Sequence, residues 1–194
     1  MTGCNLLKTA TSLLLSISLL VLSASAYSTE FYLSSPYDEE FKSQSGRWMP
    51  GYDWRLLKAQ CIQESRLQPD AVSSAGAEGL CQFMPAAWSE VQRKFGTNAQ
   101  RTVARESIRG AAWYMHRMIR NWDRRNRTRI QVFYLGAASY NAGLGTVLKA
   151  QQRCGNKRLF EELFDCLPTE TQLYPIHIQR HYLRLYKWEF SPDS

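Results

Sequence analysis

The sequence lacks several features that would point to other classes of protein. It has no convincing run of alternating apolar and polar residues, so no half-buried β-strand is predicted. It also has no internal repeat and no low-complexity tract. Its three His residues are scattered, and none of its five Cys residues belongs to a Cys-x-x-Cys motif, so a zinc site is a poor interpretation. We therefore expect an all-α, or mainly α, fold with no metal and no cofactor.

The composition is that of an ordinary globular domain with a basic surface. At 194 residues, of which 44% are hydrophobic and 21% charged, the chain can form one domain with a substantial core. The net charge of +7 suits nucleic acid, anionic lipid headgroups or an acidic polymer as a partner. The basic cluster at residues 120–129 is short and matches no nucleic-acid-binding module. We interpret it as a solvated turn between helices and expect no nucleic acid partner.

The N-terminus has the three parts of an export signal. Lys8 lies in a short polar region, residues 13–22 form an apolar run, and Ala24-Ser25-Ala26 fits a small-x-small cleavage site. The alternative is an uncleaved membrane anchor, but two serines interrupt the apolar run, which is short for a membrane span. We therefore predict a cleaved signal peptide at residues 1–26, an exported protein, and no membrane span after cleavage.

Four cysteines remain once the leader is removed. An even number of cysteines in an exported protein indicates disulfides, and four cysteines allow three pairings. Of these we favour Cys61–Cys81 together with Cys154–Cys166. The first bridge would tie a helix to the turn that follows it. The alternative is that Cys61 and Cys81 are free thiols that pack as apolar side chains.

A helix with a carboxyl group at its end is the first candidate for chemistry. Asp53 is a good N-cap, and Trp54–Ser65 contains neither Gly nor Pro. Leu57, Cys61 and Glu64 share one face of this helix. Burial and the negative end of the helix dipole both raise the pKa of a carboxyl group in this position, as a general acid requires. The alternative is that Glu64 is an ordinary surface residue at a helix end.

The rest of the chain is predicted to be helical and to form one domain. Residues 27–46 show no clear period and are predicted to be an extended lead-in over the domain surface. The compact domain is expected at residues 47–190, followed by a tail at 191–194. Further helices are predicted at residues 86–95, 101–122, 130–140, 146–152, 159–163 and 169–188. The helix at 130–140 is apolar on nearly every side and is expected to be the central buried helix.

Four sequence blocks, in order along the chain, together resemble one enzyme family. The blocks are Glu64-Ser65, then Ser73 with Ala75-Gly76-Ala77 and Gly79-Leu80-Cys81-Gln82-Phe83-Met84-Pro85, then Ala138-Ser139-Tyr140-Asn141-Ala142-Gly143, and Glu170-Thr171 followed by Tyr174. They resemble the Glu-Ser, Gly-Leu-Met-Gln-Ile/Phe-Met-Pro, Tyr-Asn-Ala-Gly and Glu-Thr-x-x-Tyr segments of soluble lytic transglycosylases. Each block alone is a weak signal, whereas four in order over more than half of the chain are specific.

The resemblance implies a fold, a reaction and a set of site residues. It implies a lysozyme-like helical domain with a glycan-binding groove that cleaves the β-1,4 bond between N-acetylmuramic acid and N-acetylglucosamine in peptidoglycan, without water, to leave 1,6-anhydro ends. It makes Glu64 the acid and base, with Tyr140 and Ser73 donating hydrogen bonds that favour charge on Glu64 or on the substrate N-acetyl group. The positions that match groove residues are Ser73, Gln82, Met84, Tyr140, Asn141 and, in a supporting role, Glu170. The chain departs from the family at Cys81, where Met is usual.

Two other functions compete with this interpretation. A hydrolytic muramidase of the goose-lysozyme type would need a second acid to hold the attacking water, and Asp70, Glu78 or another acid could supply it. A non-catalytic peptidoglycan-binding assembly protein could also keep the groove. For the enzyme, the resemblance implies a periplasmic location and a role in opening the wall for envelope-spanning secretion, conjugation or phage machinery.

Overall fold

The structure is a computed structural model that describes residues 33–123 and 126–190. The predicted leader at residues 1–26 and the tail at 191–194 therefore lie outside the described residues. The compact unit that carries the site begins at Pro36. In the part of the chain that is described, no helix is long and apolar enough to cross a membrane.

Within the described ranges the chain folds into helices joined by turns. The eight α-helices are α1 (Asp38–Trp48), α2 (Trp54–Ser65), α3 (Pro85–Phe95), α4 (Ala104–Trp122), α5 (Arg129–Ala142), α6 (Leu144–Arg153), α7 (Phe160–Leu163) and α8 (Thr169–Glu189). A single 3₁₀ turn, Phe164–Cys166, follows α7. Extended pairing over these residues is limited to isolated bridges that join Val72 to Glu78 and Glu78 to Phe83. The all-α prediction is confirmed.

The first helix corrects the expectation of an extended lead-in at residues 27–46 for the part that the structure describes, whereas residues 27–32 lie outside the described residues. From Asp38 onward this segment is helical. Three acidic residues occupy the first turn of α1, where they interact favourably with the positive end of the helix dipole. Phe41 and Ser45, four residues apart, are buried on one face. The segment looked irregular because so few of its residues are apolar, and packing against α2 and α4 supplies the stabilisation that its own sequence does not.

Helix α2 is built as the sequence predicts. The Asp53 carboxylate accepts a hydrogen bond from the Arg55 backbone N–H at 3.0 Å, which confirms the N-cap. The predicted apolar face is buried, and Leu57 is fully buried. The helix ends where Arg66 adopts the left-handed conformation, with φ of 57°. Glu64 therefore lies in the last turn of a helix whose position is fixed at both ends.

The core forms around α5, which is the predicted central helix. Every residue from 132 to 139 is buried, and α4, α6 and α8 pack around this helix. Helix α4 also packs closely on α3, because a Cβ atom at Gly110 would lie 3.0 Å from Val91 Cγ1. The ends of α2 and α5 and the start of α8 meet on one side of this core, and the candidate site lies there.

Candidate active site

A groove of about 640 Å³ lies where α2, α3, α5 and α8 converge on the turns between α2 and α3. The structure brings together all seven residues that the resemblance assigns to the site. Those that line the groove are Glu64, Ser73, Gln82, Met84, Tyr140, Asn141 and Glu170. Their roles toward a substrate remain predictions, but their juxtaposition agrees with the sequence analysis.

The pKa of the Glu64 carboxyl group lies in the range that a general acid needs at neutral pH. Burial raises the pKa of its carboxyl group from 4.5 to about 7, and the nearby negative charge of Glu170 adds to the increase. The Tyr174 hydroxyl donates a hydrogen bond to Glu64 Oε1 and opposes the rise in pKa. A carboxyl with a pKa near 7 can give up a proton and take one back at neutral pH.

The turn before α3 forms one wall of the groove and is held by its own polar groups. The Gln82 side-chain amide donates to the Gly79 carbonyl at 2.9 Å and to the Ala71 carbonyl at 3.1 Å. Ser73 Oγ accepts the Ala77 N–H at 3.0 Å. Gly79 has a φ of 84°, and a Cβ atom there would lie 2.0 Å from the Arg101 carbonyl oxygen. Ser73 and Gln82 therefore stabilise the turn through hydrogen bonds and also line the groove.

The opposite wall consists of the end of α5 and the start of α8. Tyr140 donates its hydroxyl to the Cys81 carbonyl at 2.9 Å. Asn141 Nδ2 donates to Glu170 Oε1 at 3.2 Å, and Asn141 Oδ1 accepts the Thr171 hydroxyl at 2.7 Å. The amide of Asn141 is thus fixed in one orientation, with the Glu170 carboxylate beside it.

The hydrogen bond to Glu64 comes from a residue that the sequence analysis did not place in the site. The resemblance implies that Tyr140 and Ser73 favour charge on Glu64 or on the substrate N-acetyl group, and in the structure the hydroxyl that donates to Glu64 is that of Tyr174. Tyr174 belongs to the fourth block and follows Glu170 by four residues, so the two lie on one face of α8. This four-residue spacing is the feature of the sequence that could have identified Tyr174 as a site residue. The pKa of the Tyr174 hydroxyl is raised well above 10 by burial and by Glu64, so it is a neutral donor.

Other groove residues were also missed, among them Tyr114 and Glu90. Tyr114 of α4 lines the groove with its ring edge-on to Tyr140, at 5.6 Å between centroids. Glu90 of α3 lines the groove and forms an ion pair with Arg117. No sequence block includes either residue.

The second acids considered for a hydrolase lie outside this lining. Glu78 forms an ion pair with Arg101 at 2.7 Å and takes part in the isolated bridges of the turn. Asp70 is exposed beyond the end of α2. In the described part of the chain, the carboxylates that line the groove besides Glu64 are Glu90 and Glu170.

Both predicted disulfides are present. Cys61–Cys81 joins α2 to the turn that forms the groove wall, and Cys154–Cys166 joins the end of α6 to the 3₁₀ turn. The Cys81 N–H donates to Ser107 Oγ at 3.1 Å, so the backbone N–H and the backbone carbonyl of this cysteine are both hydrogen-bonded. Over residues 33–123 and 126–190, no group of three His, Cys, Asp or Glu side chains could hold a metal ion.

The raised pKa of Glu64 predicts a pH-dependent gain in stability for Glu64→Gln. The folded protein binds this proton more tightly than the unfolded chain, so the associated stability is fully present below about pH 4.5 and is lost as the pH rises through about 7. Because Gln cannot ionise, the variant should gain about 1 to 3 kcal/mol in free energy of unfolding at pH 8 and little at pH 4. Urea denaturation at the two pH values measures this. An equal gain at both would contradict the assigned pKa.

Comparison with known proteins identifies what this chain is similar to. The family described as the transglycosylase SLT domain matches residues 42–162. The chain is 37% identical over 114 residues to the membrane-bound lytic murein transglycosylase F of Idiomarina loihiensis, covering 56% of this chain and 22% of the relative. It is 31% identical over 137 residues to the protein of the same name from Alteromonas mediterranea, covering 66% of this chain and 27% of the relative. The chain thus spans about a quarter of the length of these curated relatives.

Solved structures show the same fold. An inactive mutant of the lytic transglycosylase Slt from Pseudomonas aeruginosa has a TM-score of 0.65 at 23% identity, over 81% of this chain and 25% of that one. The 70 kDa soluble lytic transglycosylase from Escherichia coli has a TM-score of 0.63 at 22% identity, over 80% of this chain and 24% of that one. These likenesses confirm the expected helical architecture.

Proposed function

Since the chain belongs to the transglycosylase SLT-domain family, we propose that it is a lytic transglycosylase that cleaves peptidoglycan glycan strands. The bond is the β-1,4 linkage between N-acetylmuramic acid and N-acetylglucosamine, and the products carry 1,6-anhydro ends. The observation that carries this proposal is Glu64, a carboxyl with a pKa of about 7 that lines the groove. Ser73, Gln82, Met84, Tyr140, Asn141 and Glu170 are proposed to contact the sugars around it.

One carboxyl is enough if the substrate supplies the nucleophile. Protonated Glu64 gives its proton to the glycosidic oxygen while the oxygen of the substrate N-acetyl group attacks C1 and the C1–O bond breaks. Ionised Glu64 then takes the proton from the C6 hydroxyl, whose oxygen closes on C1 and displaces the acetamido oxygen. Glu64 ends protonated, as it began, and no water is consumed. Tyr174 stabilises the ionised form between the two steps by donating a hydrogen bond to it.

The position of the other acids favours this route over hydrolysis. A hydrolytic enzyme needs a second carboxylate placed to activate water. Glu78 is engaged with Arg101 in the turn, and Glu90 is engaged with Arg117. The Glu170 carboxylate accepts a hydrogen bond from Asn141. Glu170 lies on α8, as does Tyr174, which donates a hydrogen bond to Glu64. Two of these three acids are already paired with an arginine.

We also propose that the protein acts in the periplasm of a bacterial envelope, after removal of residues 1–26. Two disulfides support this location, because such bridges persist in oxidising compartments. The proposed partners are envelope-spanning secretion, conjugation or phage machineries that need local openings in the wall. This part of the proposal is supported only by what the sequence resemblance implies for the family.

The mass of the products tests the proposed reaction. Purified protein is incubated with sacculi, and the released muropeptides are analysed by mass spectrometry. Anhydro ends are one water lighter than reducing ends, and we expect anhydro ends. Reducing ends would instead identify a hydrolytic muramidase. Binding to sacculi without release of fragments would identify a non-catalytic wall-binding protein.

A further inference from the structure

A buried glutamine lies one helical turn before the proposed acid. Gln60 is on α2, four residues before Glu64, and its relative exposure is 0%. In the described part of the chain, neither side-chain amide atom of Gln60 has a hydrogen-bond partner of ordinary geometry. A buried amide without partners is costly and calls for a reason. No sequence block includes Gln60, and the reaction derived above does not use it.

The nearest reason lies on α8. Gln60 and Glu64 lie one turn apart on one face of α2, which packs on α8, and the Tyr174 hydroxyl of α8 donates to Glu64. The buried Gln60 amide therefore lies on the side of α2 that faces Tyr174, and it opposes the rise in the pKa of the Tyr174 hydroxyl that burial and Glu64 cause. Tyr174 is itself buried, with 4% exposure, and its hydroxyl already donates to Glu64. A phenolic hydroxyl has one hydrogen to donate and can also accept. The group that Gln60 can offer to it is therefore the amide N–H.

We propose that Gln60 is a positioning residue that donates its amide N–H to the Tyr174 oxygen and so keeps the Tyr174 hydrogen directed at Glu64. A hydroxyl that accepts a hydrogen bond also donates a stronger one. Gln60 thus acts on Glu64 through Tyr174 and favours the ionised carboxylate that follows proton transfer. Its importance for catalysis rests on the function proposed above, whereas its effect on Glu64 does not.

Two other groups near Glu64 affect its ionisation independently of the contacts from Gln60 to Tyr174 and from Tyr174 to Glu64. Glu170 approaches from the start of α8 and Tyr140 from the end of α5. The Glu170 charge opposes ionisation of Glu64, and the Tyr140 hydroxyl is engaged by the Cys81 carbonyl. A test of Gln60 must therefore separate the path through Tyr174 from general changes around the groove.

The test measures proton binding by Glu64 directly and needs no substrate. The carboxyl carbon of Glu64 is titrated by NMR in ¹³C-labelled protein and assigned from its absence in Glu64→Gln. We expect Gln60→Met, which keeps the side-chain length, to raise the pKa of Glu64 by about 0.5 to 1 unit, a three- to tenfold change in proton affinity. Gln60→Asn should give the same shift, because a shorter amide no longer reaches Tyr174, and it serves if the Met variant does not fold.

Two comparisons decide whether Gln60 acts through Tyr174. In a Tyr174→Phe background, Gln60→Met should produce no further shift. The matched control is Ser45→Ala on α1, which removes another buried and unpartnered polar atom and should leave the Glu64 pKa unchanged. An unchanged pKa in both Gln60 variants, or an equal shift without the Tyr174 hydroxyl, overturns the proposal. A shift without anhydro products supports Gln60 but refutes the proposed function, so the two failures are distinguishable.

Discussion

Replacing Glu64 with Gln is expected to slow the release of muropeptides from sacculi by about 10²- to 10⁴-fold, the usual contribution of general acid–base catalysis. The amide keeps the volume of the carboxyl group and can still interact with the Tyr174 hydroxyl. It cannot donate a proton to the glycosidic oxygen or take one from the C6 hydroxyl. Both steps of the proposed reaction therefore lose the group on which they depend. Initial rates of soluble muropeptide release from wild type and variant measure the effect.

A second Glu→Gln variant shows whether the loss is specific to the groove. Glu161 lies on α7, where its carboxylate accepts hydrogen bonds from the Gln131 side chain, and it does not line the groove. Glu161→Gln should release muropeptides at the wild-type rate. Sacculus binding by Glu64→Gln should also persist, since the groove is otherwise intact. If Glu64→Gln formed anhydro ends at the native rate, another group would be the acid and the proposed mechanism would be wrong.

The sequence predicted those parts of the fold in which local signals agree with the tertiary structure. Helix α2 has an N-cap, an apolar face and no breaker, and it forms where expected. Helix α5 is apolar on nearly every side and becomes the core. Helix α1 was missed because its stabilisation is non-local. One of the interactions that join α1 to α2 is an ion pair at 2.7 Å between Asp38 and the fully buried Lys58 of α2. No local sequence pattern predicts this ion pair.

The same distinction explains what was predicted of the site. Glu64 was identifiable because its helix, its apolar neighbours and the following glycine-containing turn are all close in sequence. The pairing of Glu64 with Tyr174 spans 110 residues and depends on how α8 packs against α2. The direction of the Tyr140 hydroxyl, toward Cys81 rather than Glu64, likewise depends on the position of the turn. The resemblance supplied the residues of the groove, but only the structure showed which of them touch.

The position of Cys81 suggests that the disulfide to Cys61 stabilises the groove wall in addition to the fold. Its partner Cys61 is three residues before Glu64 on α2, and the Cys81 carbonyl accepts the Tyr140 hydroxyl. The bridge thus fixes the distance between the helix of the proposed acid and the turn that faces it. The other bridge, Cys154–Cys166, joins α6 to the 3₁₀ turn and does not contribute to the groove lining.

Removing the first bridge should therefore cost both stability and activity. The double variant Cys61→Ala with Cys81→Ala is expected to lose about 2 to 4 kcal/mol in free energy of unfolding, because the unfolded chain is no longer constrained. Where it remains folded, muropeptide release should fall by about 10- to 100-fold, the effect of a small displacement between catalytic groups. Urea denaturation measures the first quantity and initial rates at low temperature measure the second.

The double variant Cys154→Ala with Cys166→Ala is the matched control for the groove. It opens a loop of similar size, with a sequence separation of 12 rather than 20, so its loss of stability should be comparable. Its activity under conditions that keep it folded should remain near that of the wild type. Equal losses of activity in the two double variants would mean that Cys61–Cys81 contributes only to global stability. A selective loss in the first would show that this bridge holds the turn against the helix of Glu64.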